Sequence, residues 1–104
     1  MMNIDQTANG STITIQCQSY LQLSLPENPT TGFRWQDDSG IESKRLRVES
    51  VSFLPSVGIG AGGIRQWIFL AKESGKSNIT LRYKRPWEND SPEDKTFQLI
   101  VEIT

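Results

Sequence analysis

The chain has 104 residues with a net charge of −1, no histidine and one cysteine. That length fits one domain, and 36% hydrophobic residues supply a single core and exclude wholesale disorder. The charge balance gives no general pull toward nucleic acid or anionic membrane; the missing histidine removes Ser/His/Asp, Cys/His and His-ligated metal chemistry, and Cys17 alone cannot form an internal disulfide.

Taken along the chain, apolar residues recur with period two and helical periodicity is hard to find. Residues 1–10 are polar and read as a loosely held edge. Ile13, Ile15 and Cys17 share one face of a first strand, which makes Cys17 a buried structural thiol. Leu21, Leu23 and Leu25 define a second strand, ended by Pro26. Phe33 and Trp35 open a short third strand that stops in Asp37-Asp38-Ser39-Gly40. Leu46 and Val48, then Val51 and Phe53, mark a fourth, with a phase change at Glu49-Ser50 that predicts a bulge. The fifth, Arg65 to Lys72, is apolar on both faces from Trp67 to Ala71 and is expected to be central. Ser74-Gly75-Lys76 is a tight turn into a sixth strand carrying Ile79, Leu81 and Tyr83. Phe97, Leu99, Val101 and Ile103 form the last.

Short strands with turn signals at this spacing predict an all-β, immunoglobulin-like antiparallel β-sandwich of roughly seven to eight strands, with residues 1–104 as one domain. Trp35 sits where such sandwiches bury a tryptophan. With the strands lettered A to G, three loops stand out: Asn28-Pro29-Thr30-Thr31-Gly32-Phe33 joins B to C, Gly60-Ala61-Gly62-Gly63 joins D to E, and Arg85-Pro86-Trp87 joins F to G. In this topology those three connections share one end of the sandwich.

Each loop has an ordinary reading beside the functional one. In the first, Pro29 fixes its own φ and pushes Asn28 toward extended geometry, Gly32 permits positive φ, and Thr30 and Thr31 offer stiff β-branched side chains. On composition alone it is also a simple hairpin connection. Phe33 shares parity with Trp35 and reads as an anchor for this loop. The glycines of the second loop let bare backbone approach a partner, or mark a flexible hairpin tip; a phosphate cradle is excluded because a strand follows and no Lys-Ser or Lys-Thr pair is present. In the third, Trp87 follows a proline outside any alternation, so it either projects as a binding anchor or folds back over the sandwich end. The basic clusters Lys44-Arg45-Arg47 and Arg82-Lys84-Arg85 read as solvated faces. Glu88, Asp90, Glu93 and Asp94 offset them, against a nucleic-acid groove.

Asn-Pro-Thr-Thr-Gly-Phe, Gly-Ala-Gly-Gly and Leu81-Arg82-Tyr83-Lys84-Arg85-Pro86-Trp87, in this order and spacing, resemble the chagasin family of cysteine-peptidase inhibitors, as does the aromatic-x-Trp of Phe33-Arg34-Trp35. The resemblance runs from about Leu21 to Ile103. It implies a protein that inhibits papain-like (clan CA, cathepsin L-type) peptidases tightly and reversibly, with no enzyme activity and no cofactor or metal. It further implies that the loop at Asn28 to Phe33 enters the active-site cleft with Thr31 against the catalytic centre. The loops at Gly60 to Gly63 and Arg85 to Trp87 would clamp its two sides, Trp87 on an apolar wall and Arg85 on polar groups at the rim. One departure from the family pattern is Ile64-Arg65 after the glycines, where more polar residues are common.

The alternative is a non-inhibitory adhesion or carbohydrate-binding sandwich with Trp87 stacked on a sugar ring. A monomer is expected. Residues Met1 to Gln6 lack both parts of a secretory signal, so a cytoplasmic protein is expected, or a secreted or vesicular one whose leader is missing from this chain. The sequons at Asn9, Asn78 and Asn89 are then expected to be unmodified.

Overall fold

The computed structural model describes residues 1–37, 43–57 and 62–104. They form strands β1 (Met2–Ile4), β2 (Ser11–Ile15), β3 (Tyr20–Glu27), β4 (Arg34–Asp37), β5 (Leu46–Pro55), β6 (Gly63–Ala71), β7 (Gly75–Lys84) and β8 (Lys95–Ile103). One sheet has the order β1-β3-β6-β5 and the other β2-β8-β7-β4. Predicted strands A to G correspond to β2 through β8, and their division between two sheets is that of an immunoglobulin-like sandwich.

The alternation places the core. Leu21, Leu23 and Leu25 from β3, Trp67 and Phe69 from β6, Ile79 and Leu81 from β7, and Phe97, Leu99 and Val101 from β8 are all buried between the sheets. Full burial of each such side chain contributes about 1.5–3 kcal/mol. The expected centrality of the fifth strand is met, since β6 pairs antiparallel with both β3 and β5. The expected bulge appears as a register shift between Val48 and Ser50.

Strand direction then sets where the loops emerge. Because β3 and β5 both run antiparallel to β6, they run parallel to each other and end at the same pole. β4 starts at that pole and β7 runs antiparallel to it, so β7 ends there too. The connections after β3, β5 and β7 therefore leave from one end, as the lettering predicts.

Several expectations need correction. The two edge pairings, β1 with β3 and β2 with β8, are parallel, so the sandwich is antiparallel only across its inner strands. The polar N-terminus is an edge, but one with specific attachments. Met2–Ile4 pairs with Leu21–Leu23, a 3-10 turn covers Gln6–Ala8, and the Gln98 N–H donates to Asn9 Oδ1 at 2.8 Å.

Pro26 does not end its strand. β1 pairs only as far as Leu23, so the side of β3 facing it is open by Pro26, where a missing N–H removes no ladder bond. Cys17 lies beyond the end of β2 in a turn and is half-buried, its Sγ 3.3 Å from the Lys72 carbonyl oxygen; the chain leaves the strand before the alternation reaches it. The turn at Ser74-Gly75-Lys76 lies earlier, at Glu73-Ser74, and Gly75 already belongs to β7. Trp35 is half-buried at the loop pole, and the fully enclosed tryptophan is Trp67.

Candidate functional site

The first loop is stiffened from within. Asn28 adopts φ −119° and ψ 92°, the extended geometry expected before Pro29, and Pro29–Thr31 closes a 3-10 turn. Asn28 Oδ1 accepts from the Thr30 N–H at 3.2 Å and from the Thr30 hydroxyl at 2.6 Å. The Thr31 hydroxyl donates to the Asn28 carbonyl at 2.8 Å. Gly32 ends the turn at φ 82°, the left-handed conformation that glycine adopts without strain. Both threonines stay exposed, held by short local bonds rather than by burial.

Its neighbours brace it on either side. The Arg85 Nε–H donates to the Thr31 carbonyl at 3.1 Å, and the guanidinium lies 4.6 Å from the Phe33 ring centre. A Cβ placed on Gly32 would stand 2.7 Å from the Trp87 ring, so the first and third loops touch at that glycine. On the other side, a Cβ on Gly62 would lie 2.7 Å from the Glu27 carbonyl oxygen and 3.0 Å from Asn28 Cβ, so only glycine allows that approach. The Ser56 N–H donates to the Gly62 carbonyl at 2.9 Å and closes the base of the second loop. Of the predicted second-loop residues, Gly62 and Gly63 are brought to the pole; Gly60 and Ala61 lie outside the described residues.

Trp87 projects, with 73% of its surface exposed. Phe33 lies just outside β4, half-buried, its ring stacked on Tyr83 at 5.4 Å, while Trp35 meets the other part of Tyr83 at 4.8 Å. Arg85, expected as a polar contact at the rim, has its guanidinium engaged inside the pole with Thr31, Phe33 and Glu88. Pro86 is exposed in the turn between Arg85 and Trp87.

Two residues that sequence reading missed hold this end together. The Tyr83 hydroxyl accepts from the Asn28 N–H at 2.9 Å, tying the start of the first loop to β7. Glu27 is 3% exposed, yet it is charged. Its Oε1 accepts from Arg65 Nη2 at 2.6 Å and Nε at 3.1 Å, and its Oε2 accepts from the Trp35 N–H at 3.1 Å. Arg34 approaches the same carboxylate at 4.0 Å. One side chain thus joins the stems of the first and second loops. The signal was available: Glu27 continues the parity of Leu21, Leu23 and Leu25.

The acidic run after Trp87 folds back on the basic stripe. Lys84 Nζ donates to Asp90 Oδ1 at 2.6 Å, and Arg82 Nη1 donates to the Ser91 carbonyl at 2.9 Å. The hydrogen bond from Lys84 holds the Asp90 carboxyl below the ordinary aspartate range. A depressed carboxylate contributes stability above its unfolded pKa, and the contribution is lost as pH falls through the lowered folded value. With no histidine in the chain, no side chain has its ordinary pKa between about pH 5 and 8. Binding by this pole should therefore be flat from pH 7 down to about 5 once the partner's own titration is subtracted. Affinity measured across that range with a catalytically dead partner checks it.

A second expectation follows from the loop contact. Gly32→Ala places a side chain at positive φ, costing about 1–2 kcal/mol, and also pushes on Trp87. Thermal unfolding should register the first effect, and weakened binding beyond what unfolding explains should register the second.

A sandwich that gathers braced loops and a projecting tryptophan at one pole is a protein-binding module of the immunoglobulin-like class. The chain matches the Chagasin family peptidase inhibitor I42 over residues 10–101, and it belongs to that family. It is 35% identical to amoebiasin-1 of Entamoeba histolytica over 103 residues, covering 98% of this chain and 99% of that one. It is 31% identical to chagasin of Trypanosoma cruzi over 103 residues, covering 94% of each. Among solved structures, the cysteine protease inhibitor EhICP2 of Entamoeba histolytica shares the fold at TM-score 0.81 and 19% identity, over 99% of this chain and 94% of that one. PbICP-C, solved in complex with falcipain-2, does so at TM-score 0.70 and 18% identity, over 99% and 88%. Family membership makes the protein a peptidase inhibitor and not an enzyme.

Proposed function

We propose that this protein inhibits papain-like, cathepsin L-type cysteine peptidases tightly and reversibly by filling the active-site cleft from the loop pole. The observation that carries the reading is the set of contacts joining Asn28 to Gly62, and Thr31 and Gly32 to Arg85 and Trp87. These contacts make one rigid edge from separate connections. A papain-like cleft receives an extended peptide; a loop locked by Asn28, Thr30 and Thr31 fills it without presenting a correctly placed scissile carbonyl. Thr31 faces the catalytic centre in this reading, Gly60 to Gly63 cover one side, and Trp87 packs on the opposite wall. Loops already ordered lose little entropy on docking, which favours affinity at a standard interface of roughly 1,600 Å². The fold shared with PbICP-C, solved in complex with falcipain-2, supports the same class of partner.

The test is a tight-binding titration against papain and cathepsin L with trypsin as control. Stoichiometric inhibition of the first two and none of the third is expected, and inhibition lost in Thr31→Ala would place the first loop in the cleft. Saccharide binding without inhibition of papain would favour the sugar-stacking alternative instead. A cytoplasmic location belongs to the same reading. Asn89 is exposed two positions beyond Trp87, so a glycan there would crowd the edge; mass spectrometry of native material finding one would overturn that location.

A further inference from the structure

The outer face of the sheet formed by β1, β3, β6 and β5 ends in an apolar row that no loop motif includes. Pro26 of β3, Ile64 of β6 and Leu54 of β5 stand opposite one another in register, Pro26 with Ile64 and Leu54 with Ile64. By parity they face away from the core: Phe53 and Arg65, next to Leu54 and Ile64, turn inward and meet each other across the strands at 5.1 Å. The next register pair outward, Gly63 with Pro55, is already the base of the second loop. Leu54 is 50% exposed, and Val57, two residues beyond Pro55, is fully exposed. The following row inward, Ser24, Gln66 and Ser52, is polar, so the apolar strip is confined to the loop pole.

Charge is distributed to match. From Ser50 to Ile64 the sequence carries no charged residue, whereas the opposite flank, from Arg82 to Lys95, is dense in ion pairs. The pole therefore has one uncharged, apolar shoulder and one charged shoulder that carries Trp87. An exposed apolar strip continuous with a binding edge is what an extended contact surface requires.

We propose that Leu54, Ile64 and Pro26, with Val57, form a specificity-determining shoulder that packs on an apolar lip of the target peptidase beside the second loop. This rests on the reading that the loop pole is the peptidase-binding edge, with which the strip is continuous. Peptidases with an apolar lip there are bound more tightly than those with a charged one, and because the contact is apolar its contribution is insensitive to salt. The Ile64 that departs from the family's more polar habit is the middle of the row.

The test is Leu54→Thr/Ile64→Thr, which keeps β-branched strand formers on the same face, titrated at low and high salt against papain, cathepsin L and cathepsin B. Trp87→Ala and Thr31→Ala are measured beside it, and thermal unfolding is recorded for each. The expected result is a loss on the order of tenfold against at least one enzyme, differing severalfold across the panel, equal at both salt concentrations, with unfolding nearly unchanged. Wild-type inhibition of all three by the double variant, while Trp87→Ala weakens it, overturns the shoulder and leaves the loop edge standing. If Trp87→Ala and Thr31→Ala are also without effect, the loop edge itself fails. A uniform loss that tracks lowered thermal stability assigns the row a structural role and overturns the proposal. So does a wild-type dimer that the double variant dissociates without changing inhibition.

Discussion

Trp87→Ala should weaken inhibition of papain by about 2 kcal/mol or more, roughly thirtyfold, while shifting thermal unfolding little. The ring has most of its surface in solvent, so its removal opens no cavity in the core. Its one close contact within the chain is the edge laid against Gly32, which orients the ring and fixes its distance from the first loop. A large aromatic held in place but left exposed has paid little to be ordered and regains its apolar surface only on binding. Truncation should therefore act chiefly on the dissociation rate, which stopped-flow displacement from papain measures directly. A variant that binds as tightly as wild type would remove Trp87 from the interface.

Much of this site could be read before any coordinates. Alternation located β3 and β5 through β8 because each has one buried face, which makes period two a direct record of the core. Asn28, Pro29 and Gly32 were legible for a related reason: their backbone geometry follows from local sterics and needs no tertiary context. What stayed hidden depends on partners remote in sequence. The three residues of β1 carry no apolar alternation, and their parallel pairing with Leu21–Leu23 is fixed by the sheet. Cys17 keeps the parity of Ile13 and Ile15, but the chain turns at Gln16 and places it on the rim of the core. Whether Trp87 projected or folded back was undecided in the sequence; Arg85, drawn inward to Thr31 and Phe33, leads the chain out at that point. Glu27 was missed because a proline and then a carboxylate look like the end of a strand, when the carboxylate is in fact the inward-facing residue of the last pair.

That carboxylate is where the largest loss of stability is expected. Glu27→Ala should destabilise the fold by about 3 kcal/mol, the lower part of the range for breaking a buried ion pair by removing one partner. The lower end applies because Arg65 retains 20% side-chain exposure, so water reaches the guanidinium left behind, and because the Phe53 ring still faces it. The Trp35 N–H loses its acceptor as well, adding the desolvation of a buried donor. Replacing both members of the pair, as Glu27→Leu/Arg65→Leu, should be less damaging than Glu27→Ala alone, because no unpaired charge remains. Urea unfolding of the single and double variants checks the sign of that difference. The consequence for inhibition is separable. Glu27 sits one residue before Asn28 and binds the strand that follows Gly63, so its loss frees the first and second loop stems from each other while β7, through Tyr83 and Arg85, still holds the first. Folded Glu27→Ala, measured well below its unfolding temperature, should then inhibit papain more weakly than wild type. An unchanged inhibition constant in a variant that has lost this much stability would show that the pair holds the sandwich and plays no part in aiming its loops.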